Sequence, residues 1–172
     1  MTNKSKYCTL VLAALCCIGW AACTQERDPC YTPKTAGVNI EFIHLISDTS
    51  KTLVADTVLP GGVFIALTDS GRIETIRGLY SSLFTISLSP VANTCKWEVA
   101  TDTLNTNLYD TLTFYYKRNL QFLSNACGYT YFYSIDSVHT SHFNIDSVII
   151  SNASVTNNVN TEHLKVYIHP DY

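Results

Sequence analysis

Residues 84–89 (FTISLS) indicate the fold class of this chain, because apolar and polar side chains alternate strictly along them. Phe84, Ile86 and Leu88 are apolar, and a threonine or a serine follows each of them. A period of two is typical of a β-strand with one face buried and the other facing solvent. The stretch therefore predicts a half-buried strand.

The same period recurs on both sides of this strand. Residues 60–62 (PGG) and 69–71 (DSG) are predicted to be turns that separate three further runs, over 53–59, 63–67 and 73–76. Short strands with frequent turns predict an all-β chain that folds as an antiparallel β-sandwich of immunoglobulin-like architecture. The other alternating apolar positions are Val38, Ile40 and Phe42; Leu112, Phe114 and Tyr116; and Leu164, Val166 and Ile168.

The composition argues against some classes of function. Of the 172 residues, 15% are charged, whereas an average globular chain has about 25%. The net charge of −3 disfavours a nucleic-acid partner, because proteins that bind nucleic acids present a basic surface. A low content of charged residues also leaves little material for a charged active site.

The first residues are typical of an export signal. Lys4 and Lys6 precede an uncharged run that ends at Ala21 and Ala22, directly before Cys23. The run is shorter than the ~20 residues of a spanning helix, so a retained anchor is the second choice. We expect a signal peptide over 1–22, a tether over 23–35 and one sandwich domain over 36–172.

Cys23 resembles the cysteine at the cleavage site of bacterial lipoprotein signal peptides, which follows small residues and is lipidated. Trp20 stands where that motif usually has leucine. The resemblance implies that Cys23 becomes the lipidated N-terminus and that the lipid binds the chain to the outer membrane, facing the periplasm or the cell surface. The alternative is an ordinary cleaved signal with an incidental cysteine.

Three cysteines belong to the body of the chain, namely Cys30, Cys95 and Cys127. Export would place them in an oxidising compartment, where three single pairings are open. We expect a Cys30–Cys127 disulfide that joins the tether to the domain. Cys95 would then be a thiol that packs as a small apolar side chain.

Catalytic and metal motifs give weak signals. His139 and His142 form an HTSH pair that could chelate a metal only from a turn, and no third ligand is evident. No nucleophile elbow, phosphate-binding loop or dinucleotide fingerprint is present in the sequence. We therefore expect no enzyme, no cofactor, no catalytic residue and no metal site, with a small envelope hydrolase or a metal-binding protein as the alternatives.

Aspartate is followed by serine or threonine at seven of its nine positions. Five of these pairs continue with an aliphatic residue and resemble the O-glycosylation sequon of exported Bacteroidota proteins. The alternative is structural, since Asp-Ser/Thr before an aliphatic residue is also typical of a turn that leads into a strand. The residues that would carry the glycan are Thr57, Thr103, Thr111, Ser137 and Ser147.

Tyrosines are concentrated between residues 115 and 133. Tyr115 should face away from Tyr116, while Tyr129, Tyr131 and Tyr133 share one face of a regular strand. Exposed tyrosines at this spacing could stack on sugars or anchor a partner. The alternative is that they pack inside the sandwich.

Residues 109–136 (YDTLTFYYKRNLQFLSNACGYTYFYSID) resemble a family of short envelope lipoproteins of Bacteroidota that is classed only as a domain of unknown function. The resemblance implies no catalytic residues. It implies a non-enzymatic lipoprotein that binds the membrane through its lipid and serves as a binding or structural module for an envelope protein or a glycan. The matching residues are Cys23, Cys30, Asp110, Leu112, Phe114, Phe122, Ser124, Ala126, Cys127, Gly128 and Tyr129.

Overall fold

The computed structural model describes residues 29–46, 53–56, 59–101 and 109–168. The chain divides into two compact units, Met1–Tyr31 and Thr32–Tyr172. The predicted signal peptide and the candidate sites Cys23, Thr57 and Thr103 lie outside the described residues. The described part of the chain has no helix with the length and hydropathy that a membrane span needs.

The described residues of the second unit form eleven strands in two sheets, which confirms the all-β class and the sandwich. The immunoglobulin-like architecture stays a prediction. The strands are β1 (Gly37–Ile46), β2 (Leu53–Asp56), β3 (Leu59–Thr68), β4 (Gly71–Ser81), β5 (Leu83–Ser87), β6 (Thr94–Ala100), β7 (Asp110–Ser124), β8 (Gly128–His139), β9 (Ile145–Ile150), β10 (Ser154–Val155) and β11 (Leu164–Ile168).

The smaller sheet is built around β1. One edge of β1 pairs with β11, and the other edge pairs with β5 and then with β2. The β1–β11 pair is parallel, with Ile40 opposite Leu164, although the sequence predicted antiparallel strands. The larger sheet has the order β10-β8-β7-β6-β3-β4, and its pairs are antiparallel.

The core lies between the two sheets. Phe42 and Phe84 of the smaller sheet enclose Phe64 of the larger one, with ring centroids 5.9 and 4.7 Å from that of Phe64. The alternating apolar residues that the sequence analysis named in and next to β1, β5, β7 and β11 are all buried, as predicted. Each such side chain stabilises the fold by about 1.5–3 kcal/mol through removal of apolar surface from water.

The predicted turn at residues 60–62 is wrong. These residues lie inside β3, and the pairing of β3 with β4 shifts register between Pro60 and Gly62 and again after Gly62. Gly61 has a φ of 101°, a conformation that glycine adopts without strain. The Pro-Gly-Gly motif therefore makes a β-bulge, which the sequence pattern does not distinguish from a turn. The predicted turn at residues 69–71 does connect β3 and β4.

Asp110 binds the start of β7 to the loop that enters β9. Its side chain is buried, and each carboxylate oxygen accepts two hydrogen bonds. One oxygen accepts from the Ser141 hydroxyl at 2.8 Å and the Phe143 N–H at 2.7 Å. The other oxygen accepts from the N–H groups of Asn144 and Ile145, at 2.7 and 3.0 Å. A single carboxylate thus satisfies three backbone donors that the sheet does not pair.

Candidate functional site

The β7–β8 hairpin extends beyond the core. Near its base, Tyr116 lies opposite Ile135, and both side chains are buried. Towards its turn, the exposed fractions are 57% for Leu120, 54% for Phe122 and 65% for Tyr129. Because these large apolar side chains lie in the sheet and not in a loop, the position of each one is set by strand pairing.

The exposed apolar residues share one face of the hairpin. Phe122 lies directly opposite Tyr129, and Leu120 lies opposite Tyr131. The rings of Phe122 and Tyr129 are 5.1 Å apart and tilted, which is a favourable aromatic geometry. Tyr131 is partly buried and packs against the core, so it borders the exposed residues. We call Leu120, Phe122 and Tyr129 the hairpin-end surface.

The turn of the hairpin is fixed by its own residues. The Cys127 N–H donates to the Ser124 hydroxyl at 3.0 Å. Gly128 has a φ of 74°, which a side chain would disfavour, and it starts β8. Cys127 is buried and disulfide-bonded. The turn is therefore held at two points, which keeps the neighbouring pair of aromatic rings in place.

The segment before β1 runs beside this hairpin. The Thr130 hydroxyl donates to the carbonyl of Lys34. One residue earlier, the carbonyl of Pro33 accepts from the Asn157 side chain at 3.3 Å. The N-terminal segment of the domain is thus attached next to the end of the hairpin.

The predicted tyrosine surface is only partly present. Tyr115 is 46% exposed and Tyr116 is buried, so these two side chains face opposite ways as predicted. Along β8, burial increases from Tyr129 through Tyr131 to Tyr133, which lies in the core. Leu120 and Phe122 complete the exposed surface, although the sequence contains no signal that these two side chains are exposed.

A second candidate site is a cleft of about 400 Å³, whose lining includes Asn39, Glu41, Thr85, Thr161 and Glu162. The Asn39 amide donates to the carbonyls of Val159 and Thr161, at 2.9 and 2.7 Å. Its oxygen accepts from the Thr85 hydroxyl at 2.7 Å. These contacts bind the loop before β11 to β1 and β5. The donor and acceptor groups of the Asn39 amide are therefore occupied by hydrogen bonds within the protein.

Two carboxyl groups meet in this cleft. Burial raises the pKa of Glu41 above its ordinary value, and a hydrogen bond with Glu162 raises it further. Lys165 opposes this shift, with its ammonium 3.3 Å from Glu41 and 3.8 Å from Glu162. The Ser151 hydroxyl donates to Glu162 at 2.8 Å. A hydrogen-bonded pair of carboxyl groups is closer than the ~5–9.5 Å at which two carboxylates flank a glycosidic bond.

His163 is buried beside the cleft. Its Nδ1 accepts the N–H of Asn39 at 3.0 Å, so the ring is neutral at that nitrogen. Burial lowers the pKa of His163 below its ordinary value. The histidine therefore serves as a hydrogen-bond acceptor inside the fold.

The two histidines of the predicted metal pair have separate contacts. The His139 ring stacks edge-on against Tyr115, with centroids 5.5 Å apart. The His142 Nδ1 lies 3.2 Å from the carbonyl oxygen of Ile145 and 3.0 Å from that of Asp146. Among the described residues, no three histidine, cysteine or carboxylate side chains form a metal-binding group.

The structure describes three cysteines and three of the candidate glycosylation residues. Cys30 and Cys127 are both disulfide-bonded, while Cys95 is a partly buried free thiol. The pairing of Cys30 with Cys127 stays a prediction. Ser147 is exposed, whereas Thr111 and Ser137 are half-buried.

One comparison with known proteins gives a match. The family model described as "Family of unknown function (DUF6452)" matches residues 63–168, which is more than half of the chain. No curated protein and no solved structure matches the chain significantly. The matched span contains the whole β7–β8 hairpin, but it omits Asn39 and Glu41 of the cleft.

Proposed function

This chain belongs to a family of unknown function, and from its own residues we propose that it is a non-enzymatic lipoprotein of the cell envelope whose β-sandwich is a binding or structural module. The hairpin-end surface carries the proposal. Contiguous exposed apolar side chains commonly mark interaction sites. Here the exposed apolar side chains project from a paired hairpin whose turn is fixed by hydrogen bonding. None of the three residues of the hairpin-end surface is a typical catalytic group.

The lipoprotein part of the proposal rests on the sequence. The charged start, the uncharged run and the small residues before Cys23 support export and lipidation. The resemblance of residues 109–136 supports an origin in Bacteroidota and a place at the outer membrane. A disulfide between Cys30 and Cys127 would join the tether to the turn of the hairpin.

Intact mass measurement of the protein purified from its native membranes tests this proposal. The expected mass is that of a chain beginning at Cys23 with attached acyl groups. A Cys23→Ala variant should lose the acyl mass and the membrane association, whereas the control Cys17→Ala should keep both. A mature protein without acyl groups would refute the lipoprotein assignment.

A small envelope hydrolase is the second candidate, because the cleft holds two carboxyl groups in contact. Its test is hydrolysis of chromogenic glycosides and esters by the wild type and by Glu162→Gln, with Glu74→Gln as an exposed control. If the wild type and Glu74→Gln hydrolyse a substrate and Glu162→Gln does not, the protein is a hydrolase and the proposed binding role is wrong. Equal background rates in all three proteins are expected.

O-glycosylation is a further part of the proposal, and Ser147 is its best described candidate because the residue is exposed. Half-buried Thr111 and Ser137 are less accessible to a transferase. The native protein should carry a glycan mass that Ser147→Ala reduces and that the exposed control Ser151→Ala leaves unchanged. An identical glycan mass in both variants would exclude Ser147.

A further inference from the structure

We propose that the hairpin-end surface lies in the lipid–water interface of the membrane to which the protein is bound, so that the protein contacts the bilayer both through its lipid and through this surface. The inference rests on the proposed lipidation of Cys23. It assigns the occupant of the surface, namely the headgroup and upper acyl region of a phospholipid bilayer.

The position of the tether supports this occupant. Lys34 is bound to Thr130 next to the end of the hairpin, and Cys23 precedes it by eleven residues (34 − 23). A fully extended chain of this length spans at most about 40 Å, and a flexible one has a root-mean-square length of about 18 Å. The strand β7 alone has 15 residues and is about 50 Å long at ~3.3 Å per residue, which exceeds the length of the extended tether. The end of the domain to which the tether is attached is therefore kept nearest to the bilayer.

The residue types of the surface suit an interface. Tyrosine is enriched at membrane interfaces, where its ring meets acyl chains and its hydroxyl meets water. Leu120 and Phe122 supply purely apolar contacts beside Tyr129, and all three are more than half exposed. Their common face lets them enter the interface together without unpairing the backbone, because β7 and β8 satisfy each other's hydrogen bonds there.

The charge of this part of the chain is complementary to anionic headgroups. Residues 117–131 contain Lys117 and Arg118 and no acidic residue, in a chain with a net charge of −3. Lys117 pairs with Asp136 at 3.5 Å. Arg118 instead binds the Asn93 side chain and the carbonyl of Pro90, so no described carboxylate neutralises it. Like-charge repulsion therefore does not oppose an approach of the hairpin to the membrane.

The test uses the acylated protein reconstituted in vesicles of phosphatidylethanolamine and phosphatidylglycerol, with tryptophan placed at Phe122 (Phe122→Trp). Trp97 is buried and gives a constant background, and Trp20 leaves with the signal peptide. Ile73→Trp is the matched control, because Ile73 is 53% exposed and lies level with Leu112 in the sheet. This level is about 33 Å along β7 from Phe122.

Brominated lipids should quench the emission of Phe122→Trp about twofold and leave that of Ile73→Trp nearly unchanged. Tyr129→Trp should behave as Phe122→Trp does, which protects the test against a misfolded variant. Acylated protein that floats with the vesicles but shows equal, weak quenching at all three positions would overturn the inference and leave the lipoprotein assignment intact. Protein without acyl groups would overturn both.

Self-association is examined in the same preparation. A dimer in detergent that Phe122→Ser abolishes would assign the hairpin-end surface to a second copy and overturn the inference. A monomer whose vesicle quenching is unchanged by protein dilution is the expected result. An envelope protein that crosslinks to Phe122 in cells and shields it from lipid would also overturn the inference.

Discussion

Replacement of Asp110 by asparagine is expected to destabilise the fold strongly, although the two side chains have nearly the same shape. The Asp110 carboxylate accepts four hydrogen bonds, and three of the donors are backbone N–H groups. An asparagine offers one acceptor oxygen and turns an NH₂ group towards two of these donors. At least one buried N–H therefore loses its partner.

The expected loss is about 3 kcal/mol. Hydrogen bonds to a charged group contribute about 1.5–3 kcal/mol each, and an unsatisfied buried donor costs about 1–3 kcal/mol. The Ser141 hydroxyl can rotate to accept from the new amide. The loss of stability should therefore lie near the lower end of the sum of these two contributions. For a domain of about 150 residues, 1 kcal/mol corresponds to about 2–4 °C, so Tm should fall by about 6–12 °C.

Urea and thermal unfolding of the purified protein, followed by circular dichroism, measure this loss. Asp136→Asn is the control, because that carboxylate is 46% exposed and its pair with Lys117 contributes at most about 1 kcal/mol. If Asp110→Asn is as stable as Asp136→Asn, the carboxylate does not hold the loop before β9, and the reasoning fails.

Three further outcomes are expected. Burial lowers the pKa of His163 in the folded protein, so the unfolded chain binds a proton at this histidine at a higher pH, about 6.5. The free energy of unfolding should therefore be constant in this respect above about pH 6.5 and should decrease as the pH falls below it. In His163→Gln the urea midpoint of unfolding should depend less on pH. If the midpoint depends on pH as strongly as in the wild type, groups other than His163 cause the dependence. The Tyr116 hydroxyl accepts from the Ser89 N–H at 2.9 Å and donates to the Ser89 carbonyl at 3.0 Å. Tyr116→Phe removes both hydrogen bonds and should lower the free energy of unfolding by about 1–3 kcal/mol. The exposed control Tyr115→Phe should leave the urea midpoint unchanged. Burial raises the pKa of the Cys95 thiol, so iodoacetamide should alkylate it far more slowly in the native protein than in urea, and equal rates by mass spectrometry would contradict its burial.

Local alternation was sufficient to predict the core strands. Each of β1, β5, β7 and β11 contains apolar residues spaced by two that are buried on one face, such as Val38 and Ile40 of β1. The pattern did not predict which strands pair, so the parallel β1–β11 pair was missed. It also did not separate a bulge from a turn at Gly61, because glycine with positive φ serves both.

The candidate sites were less predictable than the core. Leu120 and Phe122 continue the alternation of β7, and the sequence alone does not reveal that the other sheet leaves them uncovered. Glu41 and Glu162 are far apart in sequence, and only the parallel pairing of β1 and β11 brings their carboxyls together. Sites of both kinds depend on which surfaces meet, and a periodic pattern of side chains does not encode this.

The parallel β1–β11 pair also determines when the smaller sheet can be completed. Asn39 and His163, which bind each other across the start of this pair, are 124 residues apart. In a chain that emerges from a ribosome or a translocation pore, β1 appears first and its partner appears last. Pairs so distant in sequence form slowly, because a long loop must close before they are made. One edge of β1 therefore stays open until nearly the whole chain has emerged, and during that interval this edge is exposed to wrong pairing and to binding by holding chaperones.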